Sequence, residues 1–477
     1  MAARNSLGWL GGTLLAVSVA WPALAVTDAD RNVIYKEFRV QFDEKRYADA
    51  QPLAEKLVKL TEEQYGPEEL PLTTPLANLA TVHLKLGHYS DAIEIYQRSL
   101  RILQSKSTLA DKQQIRPLHG LGVSFLGARD AESAVVALKR AADLSRNTDG
   151  LFNIGQVEFI DALVEAYAAT GRYAEAEKES TYALRVEEAA YGRSSIKLLG
   201  RLEKLARWYE ADRRFTTERA VYERALALVS RNSTETDPRR VQPLRGIARS
   251  FRLEAFYGVE GADTGATFNT GTNGASVFSD GTTQRRGEAS LTSALAIVDG
   301  NTPVDQKMRG EVLTDLGDWF LISNGFRRAY ESYADAWKSF AAAGDTHVLE
   351  TPRLLAYRPS ISSVDRSKLD PAEAIVKIVE LRFTVDRDGR LDNVTSPTTD
   401  VPEDVVRNSV ASMRRSRYAP RIENGAAVPT NDVVFLERVL VRAATTSTEG
   451  ASSSSGKAEE KPAPEPKPEE KKPEEKK

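Results

Sequence analysis

Apolar residues recur at helical spacing up to about residue 345 and alternate at strand spacing further on. Leu76, Leu79 and His83, like Leu121 and Phe125, fall three and four residues apart, which puts each set on one face of a helix. Farther along, Ile375, Val379, Leu381, Phe383 and Val385 share one face of an extended segment, with Glu380, Arg382 and Thr384 on the other. The pattern predicts a long helical part followed by a small mixed unit.

The helical part repeats. Small or modest residues at Ala80, Gly122, Val164, Ala206 and Ala248 are spaced at 42 residues, and Gly317 follows after 69, one period plus 27. An aromatic recurs nine residues after the marker as Tyr89, Tyr173, Phe215 and Phe326, with Tyr47 one period upstream; Ala131 breaks this column. Seven residues further lie Tyr96, Leu138, Ser180, Tyr222 and Tyr333, and three beyond those Ser99, Ala141, Ala183, Ala225 and Ala336. Small residues let two helices approach closely while large ones fill the space between neighbours, so a fixed period implies stacked helical hairpins.

At the last repeat, Leu313, Leu316-Gly317, Phe320, Phe326, Ala329, Tyr333 and Ala336 follow the tetratricopeptide pattern closely. The chain from about residue 29 to 345 resembles that family, and the 42-residue period with Tyr65-Gly66 and Tyr191-Gly192 resembles its kinesin-light-chain-like variety. The resemblance implies a mainly α protein: a right-handed solenoid of seven hairpins that binds proteins or peptides. The Gly-, Thr-, Ser- and Asn-rich stretch 258–287 interrupts the sixth repeat and is expected to be a loop rather than helix.

In such an array the first helix of each hairpin lines the concave side, and its second, fifth, ninth and twelfth positions face a ligand. These positions hold Glu158, Asp161 and Glu165 in one repeat, Glu203, Arg207 and Glu210 in the next, then Gln242, Arg245, Arg249 and Arg252. Arg245, Arg249 and Arg252 stack like charges on one face, so something anionic should offset them. Two sources fit: an acidic segment or carboxylate of a bound peptide, or this chain's own Glu203, Glu210, Glu311 and Asp318. The candidate peptide- or protein-binding residues are therefore Glu158, Asp161, Glu165, Glu203, Arg207, Arg245, Arg249 and Arg252, with Arg249 at the centre of the basic row.

After a linker expected at 346–369, Asp388-Gly389 supplies a hairpin turn into a second strand at Leu391 to Thr395. A helix opens at Pro402-Glu403-Asp404, an extended piece begins at Tyr418, Asn424-Gly425 makes a turn, and the last strand runs from Val433 to Val441. This order, with Phe383 to Gly389, Arg417-Tyr418-Ala419-Pro420 and Asn424-Gly425, resembles the C-terminal domain of TonB-type energy transducers over 370–443. Arg415-Ser416 stands where an aromatic is frequent in that family. The resemblance implies docking of an outer-membrane or other envelope protein by strand addition to the final strand. The Ser/Thr and then Lys/Glu/Pro tail 444–477 has the composition of a disordered segment.

Composition narrows the function. With 41% hydrophobic and 28% charged residues and a net charge of -3, the chain has no overall pull toward nucleic acid or anionic membranes, so contact with a membrane is expected only through partners. Arg4, the apolar stretch Leu7 to Ala20 and Ala23-Leu24-Ala25 read as a secretory signal over 1–25, and a cysteine-free exported chain fits the periplasm. Four histidines, no cysteine and no nucleophile–base spacing argue against an enzyme, a metal site or a cofactor. Asp263-Thr264-Gly265 sits in the insertion without strands to pair two carboxylates, and Asp386, Asp388 and Asp392 lack the terminal Glu of a calcium loop. A periplasmic adaptor is the reading that follows. The alternative, an energy transducer for outer-membrane transport, requires the N-terminal apolar stretch to be retained as an anchor. Oligomeric state is not encoded in these patterns.

Overall fold

A computed structural model describes residues 28–106, 112–257, 281–357 and 374–442. The expected signal segment, the tail and residues 258–280 of the insertion lie outside these. Among the described residues fourteen helices form seven consecutive pairs. They are α1 (Asp28–Asp43) with α2 (Tyr47–Tyr65), α3 (Thr73–Leu86) with α4 (Tyr89–Lys106), α5 (Ile115–Gly127) with α6 (Ala131–Asp149), and α7 (Val157–Ala169) with α8 (Tyr173–Tyr191). The series continues with α9 (Leu199–Ala211) and α10 (Phe215–Asn232), α11 (Val241–Tyr257) and α12 (Gly281–Asp299), and α13 (Gln306–Ile322) and α14 (Phe326–Ala342). None is long and apolar enough to cross a membrane.

The repeat columns have direct packing reasons. A Cβ on Gly122 would meet Leu138 at 2.4 Å, and one on Gly317 would meet the Tyr333 ring at 2.4 Å, so the small marker is the seat for the large residue of the second helix. The fourth hairpin reverses the sizes, with Val164 in the small column and Ser180 in the large one. Among the described residues, the turn inside a hairpin needs a left-handed residue at one place. Lys45 (φ 61°), Gly87 (φ 80°), Arg129 (φ 64°), Gly171 (φ 76°) and Arg213 (φ 60°) fill it one period apart, and Asn324 (φ 60°) fills it in the last hairpin. Between hairpins a second column closes the loop: Asn153, Ser195 and Asp237 each accept a hydrogen bond from the backbone N–H two residues on.

Neighbouring first helices touch directly, α3 with α5, α5 with α7 and α11 with α13, while second helices make no comparable contact with one another. Closer spacing on the first-helix side curves the array toward it and makes those helices the inner face.

Two expectations need correction. Residues 281–287 are the first two turns of α12 rather than loop. Gly287 lies where a Cβ would come within 2.0 Å of the Trp319 ring, so close approach to α13 overrides the poor helix propensity of this Gly- and Thr-rich stretch. The expected linker also begins with structure: Arg353–Ala356 is strand β1, and Leu349 and Leu355 are buried.

The C-terminal unit continues with β2 (Ala374–Val385), β3 (Leu391–Thr395), α15 (Glu403–Arg414), β4 (Arg417–Ala419), β5 (Arg421–Glu423), β6 (Ala426–Val428) and β7 (Thr430–Arg442). An antiparallel sheet has the order β3-β2-β7, and Val379, Leu381, Phe383 and Val385 face α15 through Val405 and Met413. β1 pairs with β4 and β5 with β6. These short pairs bind the unit to the array, since Leu355, Ala356, Ala419 and Ile422 share one core with Trp319, Leu321 and Phe340. Tyr257 adds a clamp, its hydroxyl donating to the Tyr357 carbonyl at 2.6 Å and accepting from the Tyr357 N–H at 3.0 Å.

Candidate partner-binding face

The inner face is held by ion pairs that run between first helices of successive hairpins. Asp161 on α7 accepts from Arg201 and, at 2.7 Å, from Lys204, both on α9. Burial alone would raise the Asp161 carboxyl, but the Arg201 and Lys204 hydrogen bonds outweigh it and hold it below the ordinary carboxylate range. Arg201 is itself buried and reaches back to Glu187 at 2.9 Å.

The arginine row meets carboxylates of this chain. Arg245 donates to Asp315 at 2.6 Å and pairs with Glu311, both on α13. Arg249 pairs with Glu210 on α9 at 2.8 Å, and Arg252 with Asp318 on α13 at 3.2 Å. Burial lowers Arg245, yet the neighbouring Asp315 and Glu311 charges more than reverse this and keep it cationic. Three of the four carboxylates weighed from sequence take these roles. Glu203 does not pair with the row; it is half-buried, and desolvation raises its carboxyl against the nearby Arg207.

Asp318 is the pivot of the arrangement. Its carboxylate is buried and accepts from Tyr333 Oη at 2.8 Å and from Arg353 of β1 at 2.8 Å as well as from Arg252. Sequence reading missed Arg353 because it lay in the presumed linker. It also missed Glu218 on α10, which has no exposed surface and no hydrogen bond to either carboxyl oxygen.

Of the eight candidate residues, Asp161, Arg245, Arg249 and Arg252 are engaged in holding hairpins together. Glu158, Glu165 and Arg207 are exposed on the same first helices, α7 and α9. His119 of α5 lies beside Glu158, its ring 4.9 Å from that of Phe159; burial lowers its proton affinity and Glu158 opposes this. The open part of the face is acidic at α7, while the arginine row is neutralised from within.

Fold and pairing together define a tetratricopeptide-type helical array, and residues 39–105 match the tetratricopeptide repeat family. Among solved structures, the chain is similar to a kinesin light chain of nearly identical tetratricopeptide-like repeats from Podosopora anserina. The two are 15% identical over 50% of this chain and 99% of that one, with a TM-score of 0.39. It is also similar to BtubC (BKLC) from P. vanneervenii, 15% identical over 61% of this chain and 98% of that one, TM-score 0.37. A third is the quorum sensor NprR from B. thuringiensis, 11% identical over 68% of this chain and 86% of that one, TM-score 0.38. No curated protein matches the chain in sequence.

Proposed function

We propose that the protein is a non-catalytic adaptor of the bacterial periplasm whose inner face grips a segment of another protein. The observation that carries this reading is the row of exposed charges, Glu158, Glu165 and Arg207, left open on successive first helices after the arginine row has been matched internally. Carboxylates predominate there, so the preferred segment carries basic residues near its α7 contact. The C-terminal unit, with its TonB-like order of elements, is the second docking module. β7 is thirteen residues long and ends the described strand order β3-β2-β7, the position at which an added strand from an envelope protein would extend the sheet. The periplasmic assignment rests on the N-terminal basic, apolar and Ala-Leu-Ala pattern together with the absence of cysteine.

The test is photo-cross-linking in intact cells from a probe at position 207, exposed on the same face, followed by the same capture with the double variant E158K/E165K. The variant should keep its helical spectrum and lose the cross-linked partner at least tenfold. Capture in equal yield would remove the inner face from the reading.

A further inference from the structure

The turn of the second hairpin brings two imidazoles and a carboxylate together. His83 lies in the last turn of α3, His88 stands just before α4, and Asp91 lies in the first turn of α4. One donor atom from each falls within 4.8 Å of the others. The backbone fixes the geometry: Gly87 takes the left-handed conformation at φ 80°, and the His88 N–H closes the turn by donating to the His83 carbonyl at 2.9 Å.

His83 is the unusual member. It is nine-tenths buried, yet its Nδ1 has no hydrogen-bond partner. The Nδ1 points at Asp91, 3.5 Å from a carboxylate oxygen, longer than the usual ~2.7–3.2 Å of an N–H···O bond. A cation about 2.1 Å from two tetrahedral ligands sets those ligands about 3.4 Å apart. The His83–Asp91 separation therefore matches an edge of a metal's coordination shell better than a hydrogen bond. The two rings, 5.7 Å apart between centroids and tilted at 52°, leave His88 needing only a small rotation of an exposed side chain to complete the third vertex.

We infer that His83, His88 and Asp91 form a binding site for a divalent transition metal of the zinc class. Two neutral imidazoles and one carboxylate suit zinc and its neighbours and disfavour magnesium or calcium, which take oxygen ligands. The ion staples α3 to α4 at the one turn of the array where both flanking side chains are histidines, and its fourth position is left open to water or to a side chain from outside.

The experiment uses the untagged chain stripped with chelator, titrated calorimetrically with Zn2+ alone and in parallel with Mg2+. The expected result is one saturable zinc per chain, no magnesium binding, and a zinc-dependent rise in the unfolding midpoint. H88A and D91N change exposed side chains and should retain the wild-type circular dichroism. Each should weaken zinc at least as much as the roughly 10–100-fold seen when outer-shell partners are removed, and should abolish the rise in midpoint. H347A, remote from the turn, should bind as wild type. Absence of saturable zinc binding, unchanged affinity in both ligand variants, or loss of binding in H347A would each overturn the assignment.

Discussion

Glu218 offers a sharp test of how the array handles a buried charge. Burial, with the Glu210 carboxylate close by, pushes its proton affinity up to about 8 against the pull of Arg249, Arg219 and Arg252; an ordinary Glu releases its proton near 4.5. Between those values the folded chain holds a proton that the unfolded chain has lost. Stability must therefore fall as pH rises through that window, by about 1.4 kcal/mol per pH unit, toward a ceiling of roughly 5 kcal/mol above the upper value. The variant E218Q cannot ionise and lacks this slope. Urea unfolding of both proteins at pH 5.5, 7 and 8.5 isolates it, because every other titrating group is shared. The stability of E218Q minus that of wild type should grow by about 3 kcal/mol across the range, whatever the constant offset from the amide. A difference that stays flat, or shrinks as pH rises, would show Glu218 ionised and paired with an arginine, refuting the reasoning.

Two further outcomes follow from the packing. D318N keeps the shape of the pivot but leaves the Arg252 and Arg353 guanidiniums without their countercharge, and should cost about 3–5 kcal/mol by urea unfolding, with faster hydrogen exchange in β1. R129G relieves a left-handed arginine at an exposed hairpin turn and should stabilise the chain by about 0.5–1 kcal/mol in the same assay, part of the gain being offset by the freedom of glycine in the unfolded chain.

Much of the array was legible because its period is written in residue size. Gly122 against Leu138 and Gly317 against Tyr333 leave a mark that counting finds. The columns that went unread carry backbone rather than packing information. Lys45, Arg129 and Arg213 occupy the left-handed position without being glycine, and Asn153, Ser195 and Asp237 share only an acceptor oxygen. The helical start of α12 was hidden by composition, since Gly287 resembles a loop residue until Trp319 is seen above it. At the candidate face, sequence placed the arginines but not their choice among carboxylates. Asp315 and Glu203 are equally plausible by letter, and only the helix rotation selects the first. By sequence His83 belonged to a packing face and four histidines argued against a metal site; its meeting with His88 and Asp91 was not legible because spacings of five and three residues across a turn belong to no single helical face.

Repeat arrays lengthen by acquiring another hairpin, and each newcomer needs an apolar surface on which to stack. After α14 that surface is already occupied by Leu355, Ala356, Ala419 and Ile422. A duplicated hairpin inserted there would have to evict a folded sheet, so growth of this architecture is confined to positions upstream of the seventh pair. The join between helices and strands thus acts as a terminus with a direction, and variation in array length among descendants of this chain should be found only on its far side.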